Sequence, residues 1–206
     1  NESLFGITVD IHGGGRDMIF PHNENEIAQS TCAHEGQTFA RFWVHNGFVN
    51  VDAEKMSKSL GNVQLVHDLL QQAPGEAIRL ALISAQYRQP LDWTDDALAA
   101  ARKRLDGFYG TLRRLADVEA GPAEVPDPVM AALLDDLNTP KALAKLSAMA
   151  NAANASDDPA EQARLKGGLL AAGALMGLLQ QDPEAWFTTT RSDSLGKDEI
   201  EDLVAK

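Results

Sequence analysis

Two lysines and two serines stand close together in the segment Lys55-Met56-Ser57-Lys58-Ser59. Ammonium and hydroxyl groups bind phosphate oxygens, and Gly61, two residues later, lets the backbone fold closely around a ligand. A mobile loop of this composition could hold a polyphosphate and stabilise the negative charge that develops when it is cleaved. A charged run of this kind is more often a solvated surface loop, so the composition alone leaves both interpretations open.

A second candidate site combines His22 and Glu26, which are four residues apart in a predicted helix and therefore share one face. An imidazole and a carboxylate at this spacing can bind one Zn²⁺ together, although an isolated pair is more often an exposed polar pair. Cys32 could add a third ligand, but we favour a buried small hydrophobic residue on the helix. His34 and His45 are predicted to be structural.

The third candidate lies where an apolar strand meets a glycine run. Residues 5–11 are β-branched and apolar and predict a buried strand that leads into a loop at Gly13, Gly14 and Gly15. His12 stands at the end of this strand, where α/β enzymes place their ligands, and a structural histidine there is equally frequent. Three glycines permit a nucleotide to approach the backbone closely, which alone is weak evidence.

The elements around these residues change character along the chain. A helix is predicted from about Pro21 to Ala33, followed by a strand, a turn at Asn46-Gly47 and a second strand within residues 42–52. From about Gln64 onward every element is predicted to be helical. Thr94 is the predicted N-cap of a long amphipathic helix. The predicted fold class is therefore α/β followed by all-α.

A linker is predicted at residues 121–128, which are rich in proline. Beyond it, two apolar stripes recur at three- and four-residue steps and predict a helical bundle. The stripes are Leu143, Leu146, Ala150 and Ala153, and Leu165, Leu169, Ala172, Met176 and Leu179.

Composition places limits on the class of protein. At 206 residues, 44% hydrophobic and 23% charged, the chain can bury a sizeable core, and no apolar run reaches membrane-spanning length. One cysteine excludes an internal disulfide and fits a reducing compartment, so we expect a cytoplasmic protein. A net charge of −12 argues against a general nucleic-acid binder but allows a local basic patch.

Several blocks, in this order along the chain, resemble the cysteinyl-tRNA synthetase family of class I aminoacyl-tRNA synthetases. They are DIHGGGRD at 10–17, FPHNENEIAQS at 20–30, VHNGFV at 44–49, KMSKS at 55–59 and DDLNTPKAL at 135–143. The resemblance implies the second half of a Rossmann catalytic domain at 1–62, a connecting, stem-contacting helical region at 63–120 and a DALR-like tRNA-binding bundle at 121–206. It also implies a fragment, since the N-terminal half with its HIGH motif and the C-terminal end would lie outside this chain.

The resemblance assigns roles residue by residue. Lys58, aided by Lys55, would contact the phosphates of ATP, which is used with Mg²⁺, and stabilise the departing pyrophosphate. The residues Gly13, Gly14, Gly15, Asp17, Gly47 and Val49 would bind the rest of ATP. His12 would line the cysteine pocket, and His22 and Glu26 would bind zinc with two cysteines outside this chain. Asn23 departs from the family, in which a second histidine is usual.

The function implied by the resemblance is ATP-dependent activation of cysteine and its transfer to tRNA-Cys. Zinc would bind the thiolate of cysteine and reject the hydroxyl of serine. The full-length enzyme would act as a monomer without a membrane partner, and this partial chain is expected to be inactive alone. The alternatives are a cysteine:amino-sugar ligase of mycothiol synthesis and a non-catalytic synthetase paralogue that serves as a binding module.

The resemblance also gives a meaning to a cluster of basic residues on the helix after Thr94. These residues could meet phosphates of the tRNA acceptor stem, whereas a solvated helix face is the usual interpretation of such a cluster. The cluster contains Arg102, Lys103, Arg104, Arg113 and Arg114.

Overall fold

The computed structural model describes residues 2–51, 54–56, 61 and 63–189. The chain divides into two compact units, one formed by Asn1–Gln64 with Ala85–Asp95 and the other by Leu65–Ser84 with Asp96–Lys206. This division differs from the predicted boundaries at 62 and 120. Residues 65–84 and 96–120 pack with the bundle, and residues 85–95 belong to the first unit, to which they contribute a strand.

The described elements of the first unit are α1 Glu2–Phe5, β1 Val9–Gly15, α2 Glu24–Ala33, β2 Ala40–Asn46, β3 Val49–Val51, β4 Glu54–Lys55 and β5 Leu91–Trp93, with two short helical turns at 16–18 and 19–23. The strands form two small sheets. Strand β1 pairs in parallel with β2, while β3 lies between β4, to which it is antiparallel, and β5, to which it is parallel.

Strand β1 differs from the predicted strand in both position and burial. It begins at Val9, after α1, and it continues through the three glycines, which the sequence had placed in a loop. Each glycine is paired with a residue of β2, so the backbone there is extended. Ile11 and its partner Phe42 are 66% and 65% exposed, so the prediction of a buried strand is wrong for this face.

The predicted turn at Asn46-Gly47 does not fold β2 back onto β3, since these two described strands belong to different sheets. The N–H of Gly47 instead donates to the carbonyl of Tyr87 at 2.7 Å. A Cβ at Gly47 would overlap the carbonyl of Gln89, so only glycine fits. The segment at 87–89 that crosses Gly47 leads into β5. The all-helical prediction after Gln64 missed this strand because three residues are too few to show the alternation of apolar and polar residues typical of a strand.

The second unit is helical, as predicted, and both predicted apolar stripes are buried. The long helix starts at Asp95, directly after the predicted cap, and its apolar residues from Ala101 to Leu112 face the core. The bounds are α3 Val66–Leu69, α4 Gly75–Ile83, α5 Asp95–Arg114, α6 Asp127–Leu134, α7 Thr139–Ala155, α8 Pro159–Leu175 and α9 Pro183–Thr189. No helix in the part of the chain that the structure describes is long and apolar enough to cross a membrane.

Two arginines of the basic cluster on α5 form hydrogen bonds within this unit. Arg104 donates to the Oγ of Ser147 on α7 through two nitrogens, at 3.1 and 2.9 Å, and burial lowers the pKa of its guanidinium. Arg114 donates to Asn154 Oδ1 at 2.9 Å and to the carbonyl of Ala153. These two arginines therefore fasten α7 to α5, which leaves them less available to an external phosphate than the sequence suggested.

A buried carboxylate holds the second unit together. Glu76 on α4 accepts hydrogen bonds from the Tyr109 hydroxyl at 2.8 and 2.9 Å and from the backbone N–H groups of Leu179 and Gln180 at 3.1 and 2.9 Å. Trp186 on α9 stacks on Tyr109, with 4.5 Å between ring centroids. The network thus joins α4, α5 and the segment that follows α8.

We predict that Tyr109 stays protonated at alkaline pH for as long as the helical unit remains folded. Burial, reinforced by Glu76, raises the pKa of its phenol well above the usual value. A raised pKa means that the folded chain holds this proton more tightly than the unfolded chain, whose tyrosines titrate at about pH 10. The stabilisation is therefore complete below about pH 10 and is lost above it, by up to ~1.4 kcal/mol per pH unit.

The test uses the Tyr87→Phe variant, in which Tyr109 is the only tyrosine of the chain. Phenolate absorbance and helical circular dichroism are followed together as the pH rises, and the two signals should change in one transition. Formation of the Tyr109 phenolate at about pH 10 while the helices persist would contradict the prediction. The matched control is Tyr109→Phe, in which this contribution to the alkaline loss of stability should disappear.

Candidate functional site

The candidate site belongs to a β–α–β arrangement in the first unit. Strands β1 and β2 are parallel and α2 lies between them in sequence, so the carboxyl ends of both strands and the start of α2 share one edge. Open α/β sheets place their ligand sites at this edge. The register pairs His12 with Trp43 and Gly14 with His45, which brings two histidines of different strands to neighbouring positions.

Glu26, in the first turn of α2, lies at the centre of a group of polar side chains. Its Oε2 is 3.0 Å from His12 Nε2, and its Oε1 is 3.6 Å from His22 Nε2. The predicted sharing of one face by His22 and Glu26 is confirmed, and His12 joins them from β1. A carboxylate in the first turn is also favoured by the positive end of the helix dipole.

Asn23 is the most buried member of the group, with 3% of its surface exposed. Its Nδ2 donates to Glu26 Oε2 at 3.0 Å, and its Oδ1 lies 3.3 Å from His45 Nε2. Sequence reasoning treated Asn23 only as a departure from the family and His45 as structural. The signal that could have revealed both is the parallel register, which a single sequence does not contain.

Aromatic rings form one side of the site. The ring of His12 lies 4.7 Å from Trp43 and 5.3 Å from Phe39, centroid to centroid. Trp43 also stacks on His45, with 6.0 Å between centroids and 7° between planes. These contacts fix the orientation of both imidazoles. A cavity of about 620 Å³ opens beside His12, and Val9, Ile11 and Phe39 contribute to its lining.

The glycines predicted to bind ATP lie on β1, and one of them has a close neighbour. A Cβ at Gly15 would come within 2.5 Å of Asp17 Oδ1, so the carboxylate of Asp17 folds back over this glycine. Gly13 and Gly14 would meet only ordinary contacts if they carried a side chain. ATP binding by these residues stays a prediction.

The second group of predicted ATP-binding residues lies at the start of β3. Gly47 is held by Tyr87, and the carbonyl of Val49 accepts from the N–H of Met56 at 3.0 Å. Lys55 is the last residue of β4 and pairs with Asn50. Lys58 lies outside the described residues, so its role rests on the sequence alone.

Cys32 lies near the end of α2, and His34 directly follows its last residue. Cys32 is exposed, so the prediction of a buried small hydrophobic residue is wrong. Six residues separate it from Glu26, which places it about a third of a turn away around the helix. The Nδ1–H of His34 donates to the carbonyl of Ser30 at 2.9 Å, in agreement with a structural role. Among the described residues, no group of three or more His, Cys, Asp and Glu side chains is arranged to hold a metal ion.

Comparison with known proteins identifies the family. Residues 1–103, half of the chain, match the family described as tRNA synthetases class I (C) catalytic domain. The chain belongs to this family of class I tRNA synthetases. Residues 128–180 match the DALR domain, which follows the catalytic domain here as the sequence predicted.

Curated relatives of this synthetase chain are similar over almost its entire length. A cysteine–tRNA ligase of Parvibaculum lavamentivorans is 58% identical over 99% of the chain, and one of Maricaulis maris is 54% identical over 100%. A third, from Rhodospirillum rubrum, is 56% identical over 98%. The chain spans only 44–45% of the length of these relatives.

Solved structures agree on the synthetase fold. A leucyl-tRNA synthetase of Agrobacterium radiobacter K84, in a ternary complex with tRNA and LeuAMS, matches 91% of this chain with a TM-score of 0.65 and 20% identity, over 28% of its own length. A methionyl-tRNA synthetase of Mycobacterium tuberculosis with bound methionyl-adenylate matches 87% with a TM-score of 0.55 and 19% identity, over 44% of its own length.

Proposed function

We propose that this chain is part of a cysteine–tRNA ligase, which activates cysteine with ATP and transfers it to tRNA-Cys. The observation that carries the proposal is the convergence of His12 and His22 on the two oxygens of Glu26. Relatives at 54–58% identity, named as cysteine–tRNA ligases, support the substrate. The single cysteine of the chain fits a cytoplasmic enzyme, and we expect a monomer.

His22 and Glu26 fit a zinc site as two of its four ligands. Neutral imidazole and carboxylate are both zinc ligands, and two ligands on a tetrahedral ion lie ~3.4 Å apart when each bond is ~2.1 Å. The 3.6 Å between His22 Nε2 and Glu26 Oε1 is close to that separation. Zinc bound there would ligate the thiolate of cysteine and discriminate against serine, whose hydroxyl stays protonated. The resemblance implies that cysteines outside this chain supply the other two ligands.

The remaining residues of the site orient the substrate and hold the ligands. His12 donates to Glu26 and faces the open cavity, so it can both fix the carboxylate and line the amino-acid pocket. Trp43 and Phe39 pack against the imidazole of His12 and hold its orientation. Lys58, with Lys55, would stabilise the charge that develops on the pyrophosphate of ATP as it leaves.

The helical unit favours tRNA over an amino sugar as the acceptor. The match of residues 128–180 to the DALR domain supports a tRNA-binding role for the helices from residue 121 onward. Lys103 is an exposed basic residue of α5, whereas Arg104 and Arg114 donate hydrogen bonds to α7. We therefore assign phosphate contact to this lysine rather than to those two arginines.

We predict that the full-length protein loses its zinc in a His22→Ala variant and in a Glu26→Ala variant. Each substitution removes one donor of a four-ligand site, so the metal affinity should fall steeply. Metal analysis after gel filtration measures the zinc content of each variant.

Cys32→Ala is the matched control for these variants, since it removes a metal-binding residue type from the same helix. It should keep its full zinc content because Cys32 is exposed on another side of α2. Full zinc retention in His22→Ala, or zinc loss in Cys32→Ala, would contradict the assignment.

We predict that Lys58→Ala in the full-length protein slows adenylate formation about a hundredfold or more, while the affinity for cysteine changes little. The reason is that Lys58 would act on the charge of the transition state and not on the thiol. Pyrophosphate exchange measures the rate, and Lys145→Ala, which removes an exposed lysine of α7, is the control. An unchanged turnover number together with weaker cysteine binding would exclude this role.

A further inference from the structure

Asn23 stands where the short helical turn at 19–23 passes into α2. Its backbone is helical there, and its side chain makes no capping hydrogen bond to the described helix. Its amide is instead turned into the site, where Asn23 is 3% exposed. The orientation of this buried amide is therefore set by the side chains to which it is hydrogen-bonded.

The partners determine which way the amide faces. An ionised carboxylate only accepts hydrogen bonds, so the NH₂ group of Asn23 must face Glu26 Oε2, 3.0 Å away. The Oδ1 of Asn23 then faces His45, so Nε2 of His45 must carry a proton and donate to it across 3.3 Å. His45 therefore donates a hydrogen bond to Asn23, and Asn23 in turn donates one to Glu26.

The same reasoning settles the contact with His12. Its Nε2 lies 3.0 Å from Glu26 Oε2 and 3.4 Å from Asn23 Nδ2. Because the carboxylate is the closer group and is only an acceptor, His12 donates to Glu26, and the approach to Asn23 is a contact between two donors. Oε2 of Glu26 thus receives two hydrogen bonds, and Oε1 is left facing His22.

We propose that Asn23 is a positioning residue: its buried amide, held by His45 on β2, turns the carboxylate of Glu26 so that Oε1 is presented to a metal together with His22. This inference rests on the proposed function, since the metal is the zinc of that site. Partners that orient ligating carboxylates affect metal affinity nearly as strongly as the ligands do. An asparagine can do this without adding a charge beside the metal.

The test measures zinc affinity by chelator competition in the full-length protein, together with the thermal unfolding of the zinc-free form. Asn23→Leu, of similar size, removes both hydrogen bonds and should lower the zinc affinity about 10- to 100-fold. Asn23→His should restore most of the affinity, because imidazole can donate to Glu26 through one nitrogen and accept from His45 through the other. His34→Phe changes another histidine near the end of α2 and should leave the affinity unchanged.

The second variant is His45→Phe, which keeps an aromatic ring beside Trp43 and removes only the donor to Asn23. This variant should weaken zinc binding several-fold. If Asn23→Leu does not fold, the zinc affinity of His45→Phe tests the proposal in its place. The proposal is overturned if Asn23→Leu is folded and binds zinc as the parent does, if a folded Asn23→His fails to restore binding, or if His45→Phe has no effect. If zinc binding does not depend on His22 either, it is the proposed function that fails.

Discussion

The parallel pairing of β1 with β2 is the constraint on which the rest of the candidate site depends. It places His12 and His45 on adjacent strands and requires the chain between them to cross over, which puts the start of α2 at the carboxyl ends of both. Glu26 then contacts His12, and Asn23 contacts His45. No local interaction within α2 could bring these residues together, since the histidines on the strands are 10 to 33 residues apart from one another and from the helix pair.

Each unit is organised around one carboxylate that accepts from several elements. Glu26 accepts from the imidazole of His12 and the amide of Asn23, and Glu76 accepts from Tyr109 and from two backbone N–H groups. Buried or half-buried carboxylates of this kind are costly unless their oxygens are well paired, and no described buried side-chain N or O atom lacks a partner. A carboxylate that accepts several hydrogen bonds therefore joins the side chains of the candidate site in one unit and fixes the helix packing in the other.

The sequence predicted the elements and motifs better than their mutual contacts. The α5 stripe and the spacing of His22 and Glu26 were predictable because helical periodicity is local. Strand β5, the exposed face at Ile11 and the involvement of Asn23 were not, because each depends on which segments become neighbours. Gly47 shows the difference clearly: a glycine after asparagine predicts a hairpin turn, whereas the structure uses it for a close crossing of the 87–89 segment.

We propose that His22 and Glu26 hold a metal that binds the thiol of cysteine, and cobalt substitution tests this proposal most directly. In the full-length protein with Co²⁺ in place of zinc, a thiolate ligand gives an intense sulfur-to-metal absorption band, whereas a hydroxyl does not. We predict that cysteine increases this band and that serine at the same concentration leaves the spectrum unchanged. Identical spectra with cysteine and serine, or a cysteine-induced band that persists undiminished in His22→Ala, would contradict the account.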